Sequence, residues 1–317
     1  AHELLVAQYT EAEDTHRAVE EMFRFISTVK NTDRKLELYD RILTLDSTNE
    51  KARQDLKAIF LETGQTGRAI EQLFYLADMA LEADRTETNR EFLREILSID
   101  PGHLPAFRRL ADHMLESGEN DQAIELMQQF AATALESEQG EVALGIYEEI
   151  LSLDPANTKV LLKLKDRAIS QGDVEKAIEY LFTLSHSERE NEEPEIAEQH
   201  LREIVKLQPA NLEAWESIRE MAYESGDPAR KLSVVFEILE QAKDGLEIPE
   251  REHYLIEALE MEPDNEKALG ELRGLYKQTG NDAKAIEYGF RLADAFAAHD
   301  KALAREDIFK DIIESDP

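Results

Sequence analysis

The sequence predicts an all-α fold of about 18 helices with no strands, and three observations predict it. Gly64, Gly118, Gly172, Gly226 and Gly280 stand 54 residues apart. Pro101, Pro155, Pro209, Pro263 and Pro317 share that period, with Ser47 in the slot before them. Apolar columns keep the same step: Leu56, Leu110, Leu164, Ile218 and Leu272; Ile70, Ile124, Ile178, Leu232 and Ile286; Ile96, Ile150, Ile204, Ala258 and Ile312. A fixed period of this kind marks an array of supersecondary units. No stretch alternates apolar and polar residues with period two, so no strands are expected.

The first unit is irregular. Arg17-Ala18-Val19-Glu20 matches Arg68-Ala69-Ile70-Glu71 at a spacing of 51, so three residues are expected to be missing from its second loop. Residues 1–9 are then the remainder of its first helix. The following units read as three helices each, here called A, B and C. In the unit that opens at Pro155, helix A covers about residues 157–170, between a start signal at Ala156-Asn157-Thr158 and a stop at Gly172. Helix B begins near Asp173 and carries Ala177, Ile178, Leu181, Phe182 and Leu184 at the spacing of a buried stripe. It is expected to fade into a solvated loop at Glu188-Arg189-Glu190-Asn191-Glu192-Glu193. Helix C runs from about Pro194 to Lys206, with Ala197, Leu201, Ile204 and Val205 on one side. Proline fits the first turn of a helix, where its missing N–H has no intrahelical partner. Pro209 closes the unit.

The units are read as one array over residues 1–317, divided at 1–46, 47–100, 101–154, 155–208, 209–262 and 263–317. One such unit cannot close a core alone, so neighbours must complete it. The first residues fall within a helix A pattern and the last is a boundary proline. The chain is therefore expected to be a segment of a longer array or of a larger protein, and its uncapped terminal units could self-associate. Three helices per unit also pose a question of parity. In a two-layer zigzag, helix A of one unit and helix A of the next fall in opposite layers.

Composition narrows the function. The chain has 317 residues, 36 basic and 69 acidic, for a net charge of −33. That charge argues against nucleic-acid binding, which needs clustered Lys and Arg. It argues equally against coating an anionic membrane. Hydrophobic residues make up 42% of the chain, enough for a core rather than a disordered polyanion. No apolar run approaches the roughly 20 residues of a transmembrane helix, so no membrane insertion is expected. Residues 1–20 carry no basic stretch followed by an apolar core, and the cytoplasm is the expected compartment. There is no cysteine, which excludes disulfides and thiolate chemistry.

No phosphate-cradling glycine loop and no His-Glu-x-x-His occurs, so no cofactor, metal or catalytic residue is assigned. The eight histidines are scattered. His200 falls in a column with Phe92, Ile146, Tyr254 and Ile308, and reads as a packed helix residue. Asn157, Asn211 and Asn265 follow boundary prolines and read as helix caps. The acidic run at 188–193 lacks the spacing of a calcium loop.

Several features resemble the tetratricopeptide-repeat family. Trp215 and Ile218 precede Gly226 as that family's Trp-x-x-Leu precedes its turn glycine. Ala177 stands four residues before Leu181, like its small-then-bulky pair. Glu-Ile-Leu-Ser-Leu-Asp-Pro at 149–155 resembles the second family helix running into its boundary proline. The resemblance implies a right-handed α-solenoid that binds protein partners and is not an enzyme. The departures are a 54-residue, three-helix unit and Lys165, Arg219 and Arg273 where the family places a small residue.

Some members clamp acidic chaperone tails with Lys, Arg and Asn on successive A helices. Here that face reads Lys159, Leu162, Asp166 and Ile169, then Glu213, Glu216, Glu220 and Tyr223, so the clamp is not reproduced. The face instead suggests a partner site at Asp112, Asp166, Glu213, Glu216, Glu220 and Tyr223, suited to a basic or amphipathic peptide. The other readings are a structural spacer or self-assembling array and, with least support, a helical-repeat enzyme.

Overall fold

A computed structural model describes residues 2–137 and 139–315. Ala1 and Pro317, named above as the ends of the first and last units, lie outside them. Two compact units are present, Ala1–Pro155 and Ala156–Pro317. Among the described residues every regular element is a helix, eighteen in all.

The first unit contains α1 (His2–Glu11), α2 (Thr15–Thr28), α3 (Thr32–Leu45), α4 (Glu50–Glu62), α5 (Thr66–Glu82), α6 (Thr86–Ile99), α7 (Leu104–Glu116), α8 (Asn120–Glu136) and α9 (Gly140–Leu153). The second contains α10 (Thr158–Gln171), α11 (Val174–Glu190), α12 (Pro194–Leu207), α13 (Leu212–Glu224), α14 (Pro228–Gln241), α15 (Ile248–Met261), α16 (Glu266–Gln278), α17 (Asp282–Ala298) and α18 (Ala302–Ser315).

The periodic residues explain the boundaries. All five column glycines are left-handed, with φ between 72° and 76°. Each ends helix A and lets the chain turn into helix B. Asn157, Asn211 and Asn265 do cap helix A, accepting from the backbone N–H of Val160, Ala214 and Ala268 at 3.2, 3.0 and 3.0 Å. Asn49 caps α4 in the same way, and His103 fills the column at α7 through its Nδ1.

A second left-handed column sits between helices B and C. Asp84, Glu192 and Asp300 have φ of 55°, 63° and 58°, and Glu13 takes the glycine's place after α1 at 55°. These positions carry a β-carbon in a conformation that disfavours one. Gly172→Ala is expected to cost about 1 kcal/mol, and Glu192→Gly to contribute a similar amount. Nothing lies within 4 Å of a β-carbon built on Gly172, so backbone strain alone sets its cost. Paired denaturant melts should show shifts of opposite sign.

Two boundaries differ from expectation. The run at Glu188-Arg189-Glu190 is not loop: α11 continues through Glu190, and only Asn191, Glu192 and Glu193 connect it to α12. Glu188 is buried, and Arg189 ties α11 to Glu224 of α13 at 3.0 Å. The three residues missing from the first unit come from a helix, not from the loop. Helix α2 has 14 residues where α5 and α8 have 17, while three residues follow α2 and α5 alike.

Each helix packs against its sequence neighbours within its unit. The apolar columns form the core between them: Leu56, Leu110, Leu164, Ile218 and Leu272 are all buried, as are Ile96, Ile150, Ile204, Ala258 and Ile312. Ion pairs then join alternate helices. In the second unit Lys165 of α10 meets Glu203 of α12 at 3.1 Å, and Arg202 of α12 meets Glu237 of α14 at 2.8 Å. Lys284 of α17 meets Glu252 of α15 at 3.0 Å, and Arg273 of α16 meets Asp311 of α18. In the first unit Lys57 of α4 meets Glu95 of α6 at 2.8 Å, and Arg109 of α7 meets Asp78 of α5 at 2.6 Å. Contact with the next helix and side-by-side pairing with the next but one define a two-layer zigzag inside each unit. Even-numbered helices form one layer and odd-numbered helices the other.

Candidate interaction site

The basic residues that break the family pattern midway along helix A have a structural task. Lys57, Lys165, Arg219 and Arg273 stand 54 residues apart, apart from Ala111 in the second place. Each reaches an acid 38 residues ahead on helix C: Glu95, Glu203, Glu257 and Asp311. Where Ala111 interrupts the column, Arg108 bonds Glu149 instead. The pair replaces the close approach that a small residue would permit, and it fixes helix A beside helix C.

Around Arg219 this staple widens into a network between α13 and α15. Arg219 donates to Glu216 at 2.6 Å and to Glu257 at 3.3 Å. Tyr254 donates its hydroxyl to Glu216, and Tyr223 donates to Glu257. The side chain of Glu257 is 9% exposed, and His253 lies 3.8 Å from its carboxylate. Burial and the bond to Glu257 push the Tyr223 hydroxyl up to about 12. Tyr254 is raised further, first by burial and then by its bond to Glu216. Burial tends to lower Arg219, but the two carboxylates outweigh it and hold the guanidinium above its ordinary range. All three groups keep their protons at neutral pH.

This geometry divides the residues expected to bind a partner. Glu213 and Glu220 are exposed on α13. Glu220 lies 4.0 Å from Arg189. Glu216 and Tyr223 have their polar atoms engaged within the chain, although the Tyr223 ring remains partly exposed beneath Lys231 at 4.7 Å. Asp166 is exposed on α10 and pairs with Lys165 at 3.1 Å. Asp112 is exposed on α7 in the first unit. Asp166 and the α13 residues do not share a face. Three helices per repeat place α10 in the even layer and α13 in the odd layer, so successive A helices line no common wall.

Tyr254 and Glu257 belong with the α13 residues and were not expected from sequence. The 38-residue spacing of basic and acidic columns was the available signal. His200 is half-buried on α12, as a packed residue should be. Burial pulls its imidazole below the ordinary range against the attraction of Glu188 and Glu203. Among the described residues no group of acids and histidines is arranged to hold a metal ion. No helix among them is long and apolar enough to cross a membrane.

The fold defines a class before any comparison: a helical-repeat protein with capped, glycine-terminated helices in two layers. Residues 134–198 match the family model described as the tetratricopeptide repeat. Such repeats mediate binding between proteins. No curated protein matches the chain.

Among solved structures, the Cut9-Hcn1 hetero-tetramer of the APC/C is 14% identical with a TM-score of 0.20, over 74% of this chain and 53% of that one. This chain thus spans about half the length of that relative. The MamA protein is 12% identical with a TM-score of 0.19, over 75% and 96% of the two chains. The C-terminal part of a tetratricopeptide-repeat protein from Cytophaga hutchinsonii is 13% identical with a TM-score of 0.22, over 73% and 97%.

Proposed function

We propose that the chain is a non-catalytic scaffold that holds a basic or amphipathic peptide segment of a partner protein against α13. The observation that carries this is the pair of exposed carboxylates at Glu213 and Glu220, on the same α13 face as the ordered Glu216–Tyr254 and Tyr223–Glu257 bonds. The network ties α13 to α15, while Glu213 stays exposed and Glu220, 66% exposed, keeps only a 4.0 Å ion pair with Arg189. The partly exposed Tyr223 ring offers an apolar surface beside them. An acidic face on a chain of net charge −33 attracts a basic segment over roughly 8 Å at physiological ionic strength.

Anisotropy of a labelled peptide of alternating lysine and leucine tests this reading. Glu213→Lys with Glu220→Lys should weaken binding about tenfold, and added salt should weaken it further. Neither substitution touches the α13–α15 network, so the melting curve should hold. Undiminished binding by that double variant would remove α13 as the site.

A second reading, self-association, is favoured by Leu303 and Ile313, which are 79% and 66% exposed on α18. Sedimentation across a concentration series, repeated with Leu303→Lys and Ile313→Lys, separates it from peptide binding.

A further inference from the structure

The unit at 209–262 departs from the repeat in one place. Its B helix, α14, has 14 residues, whereas α11 and α17 have 17. The missing turn is replaced by residues 242–247, which fold over the turn before α13. A β-carbon on Gly245 would come within 2.9 Å of the Ala210 β-carbon, so only glycine lets that loop lie flat. Shortening α14 opens a groove of about 620 Å³ between α14 and α16, with α15 as its floor. Its volume falls in the roughly 300–1,000 Å³ range of ligand sites.

The groove has a charge unlike the rest of the chain. Lys243, Arg251 and Lys267 line it, against Glu240 and Glu271. The cations elsewhere that staple A to C are hydrogen-bonded to carboxylates, and these three are not. Lys267 stands 3.9 Å from Glu240 and Arg251 stands 3.8 Å from Glu271, beyond hydrogen-bond reach. The Arg251 Nε–H is buried without an acceptor. Leu239, Leu255 and Leu275, all buried, close the groove from beneath.

We infer that this groove is a second binding site, independent of α13, for an extended acidic segment of a protein partner that alternates carboxylate and apolar side chains. The carboxylates meet Arg251 and Lys267, with Lys243 at the mouth. This is not the clamp excluded above, because Lys243 and Arg251 belong to the B–C loop and helix C rather than to successive A helices. The net charge of the chain does not oppose it, since charges beyond about 8 Å are screened at physiological ionic strength. A chain with both sites joins a basic partner to an acidic one.

The test uses the full chain and a labelled peptide of alternating glutamate and leucine, at physiological salt. Binding should fall about tenfold in Lys243→Glu with Lys267→Glu. It should be lost in Gly274→Phe, which fills the groove from a position where nothing lies within 4 Å of a new β-carbon. Glu271→Gln should tighten it, because the carboxylate that competes for Arg251 is gone, and a misfolded variant cannot gain affinity. Glu213→Lys with Glu220→Lys should leave it unchanged, which separates this site from the α13 reading. Absence of binding by the native chain, or equal binding by native and Gly274→Phe proteins, would overturn the inference.

Discussion

Trp215→Ala is expected to cost about 3–5 kcal/mol, the range for emptying a fully buried aromatic position. Trp215 has no exposed surface, and its indole N–H donates to the Pro209 carbonyl at 2.9 Å. The side chain therefore fills the core under α13 and fastens the turn from α12 at once. Trp215→Phe separates the two roles. It keeps most of the volume but leaves the carbonyl without its donor, and about 1 kcal/mol should go with that bond alone. Both variants should be followed by far-ultraviolet circular dichroism during denaturation, because the chain has one tryptophan and its fluorescence disappears with it. Losing less than about 1 kcal/mol in Trp215→Ala would mean that the α12–α13 turn does not depend on this side chain.

Arg219→Ala should produce the next largest loss, about 1–3 kcal/mol. The side chain of Glu257 is nearly enclosed, and removal of the guanidinium leaves its charge with the Tyr223 hydroxyl and an imidazole 3.8 Å away. Uncompensated burial of a carboxylate, more than the lost bond, sets the size of the effect. Glu257→Gln in the Arg219→Ala background should recover much of it by removing that charge. The four proteins form a double-mutant cycle, and the coupling should exceed about 0.5 kcal/mol if the two side chains act as a pair. Peptide binding on α13 should weaken with Arg219→Ala as well, since the helix loses its fastening to α15.

The repeat was legible because its markers act locally. A left-handed turn requires glycine, a cap requires a short polar side chain, and both leave a periodic trace at Gly172 and Asn157. Helix count, helix class and the buried columns follow from those marks. The ion-pair staples left only a long-range trace, the 38-residue offset between a basic column and an acidic one. Glu203 and Glu257 are two among 69 acidic residues, and nothing local distinguishes an acid that crosses to another helix from one that faces water. The network at the expected site was hidden for a related reason. Glu216 is held by Tyr254 of α15 and by Arg219 of α13, and Tyr223 is held by Glu257 of α15. Asp166 lies in the other layer of its unit, and the layer that a helix joins depends on how many helices precede it. The groove beside α14 left only an indirect trace, a loop containing glycine where the repeat calls for another helical turn.

The odd number of helices per repeat restricts how such a chain can change length. Excision of residues 209–262 would join α12 directly to α16. Helix α16 would then occupy the position of α13, and α16, α17 and α18 would each move to the opposite layer. Residues that faced one side of the unit would face the other, although every local sequence and every packing column stayed in register. Loss or gain of two repeats restores the original sides. Surface function is thus inherited in pairs of repeats, while foldability is inherited singly. A duplication that looks silent by stability would exchange the two surfaces of everything that follows it.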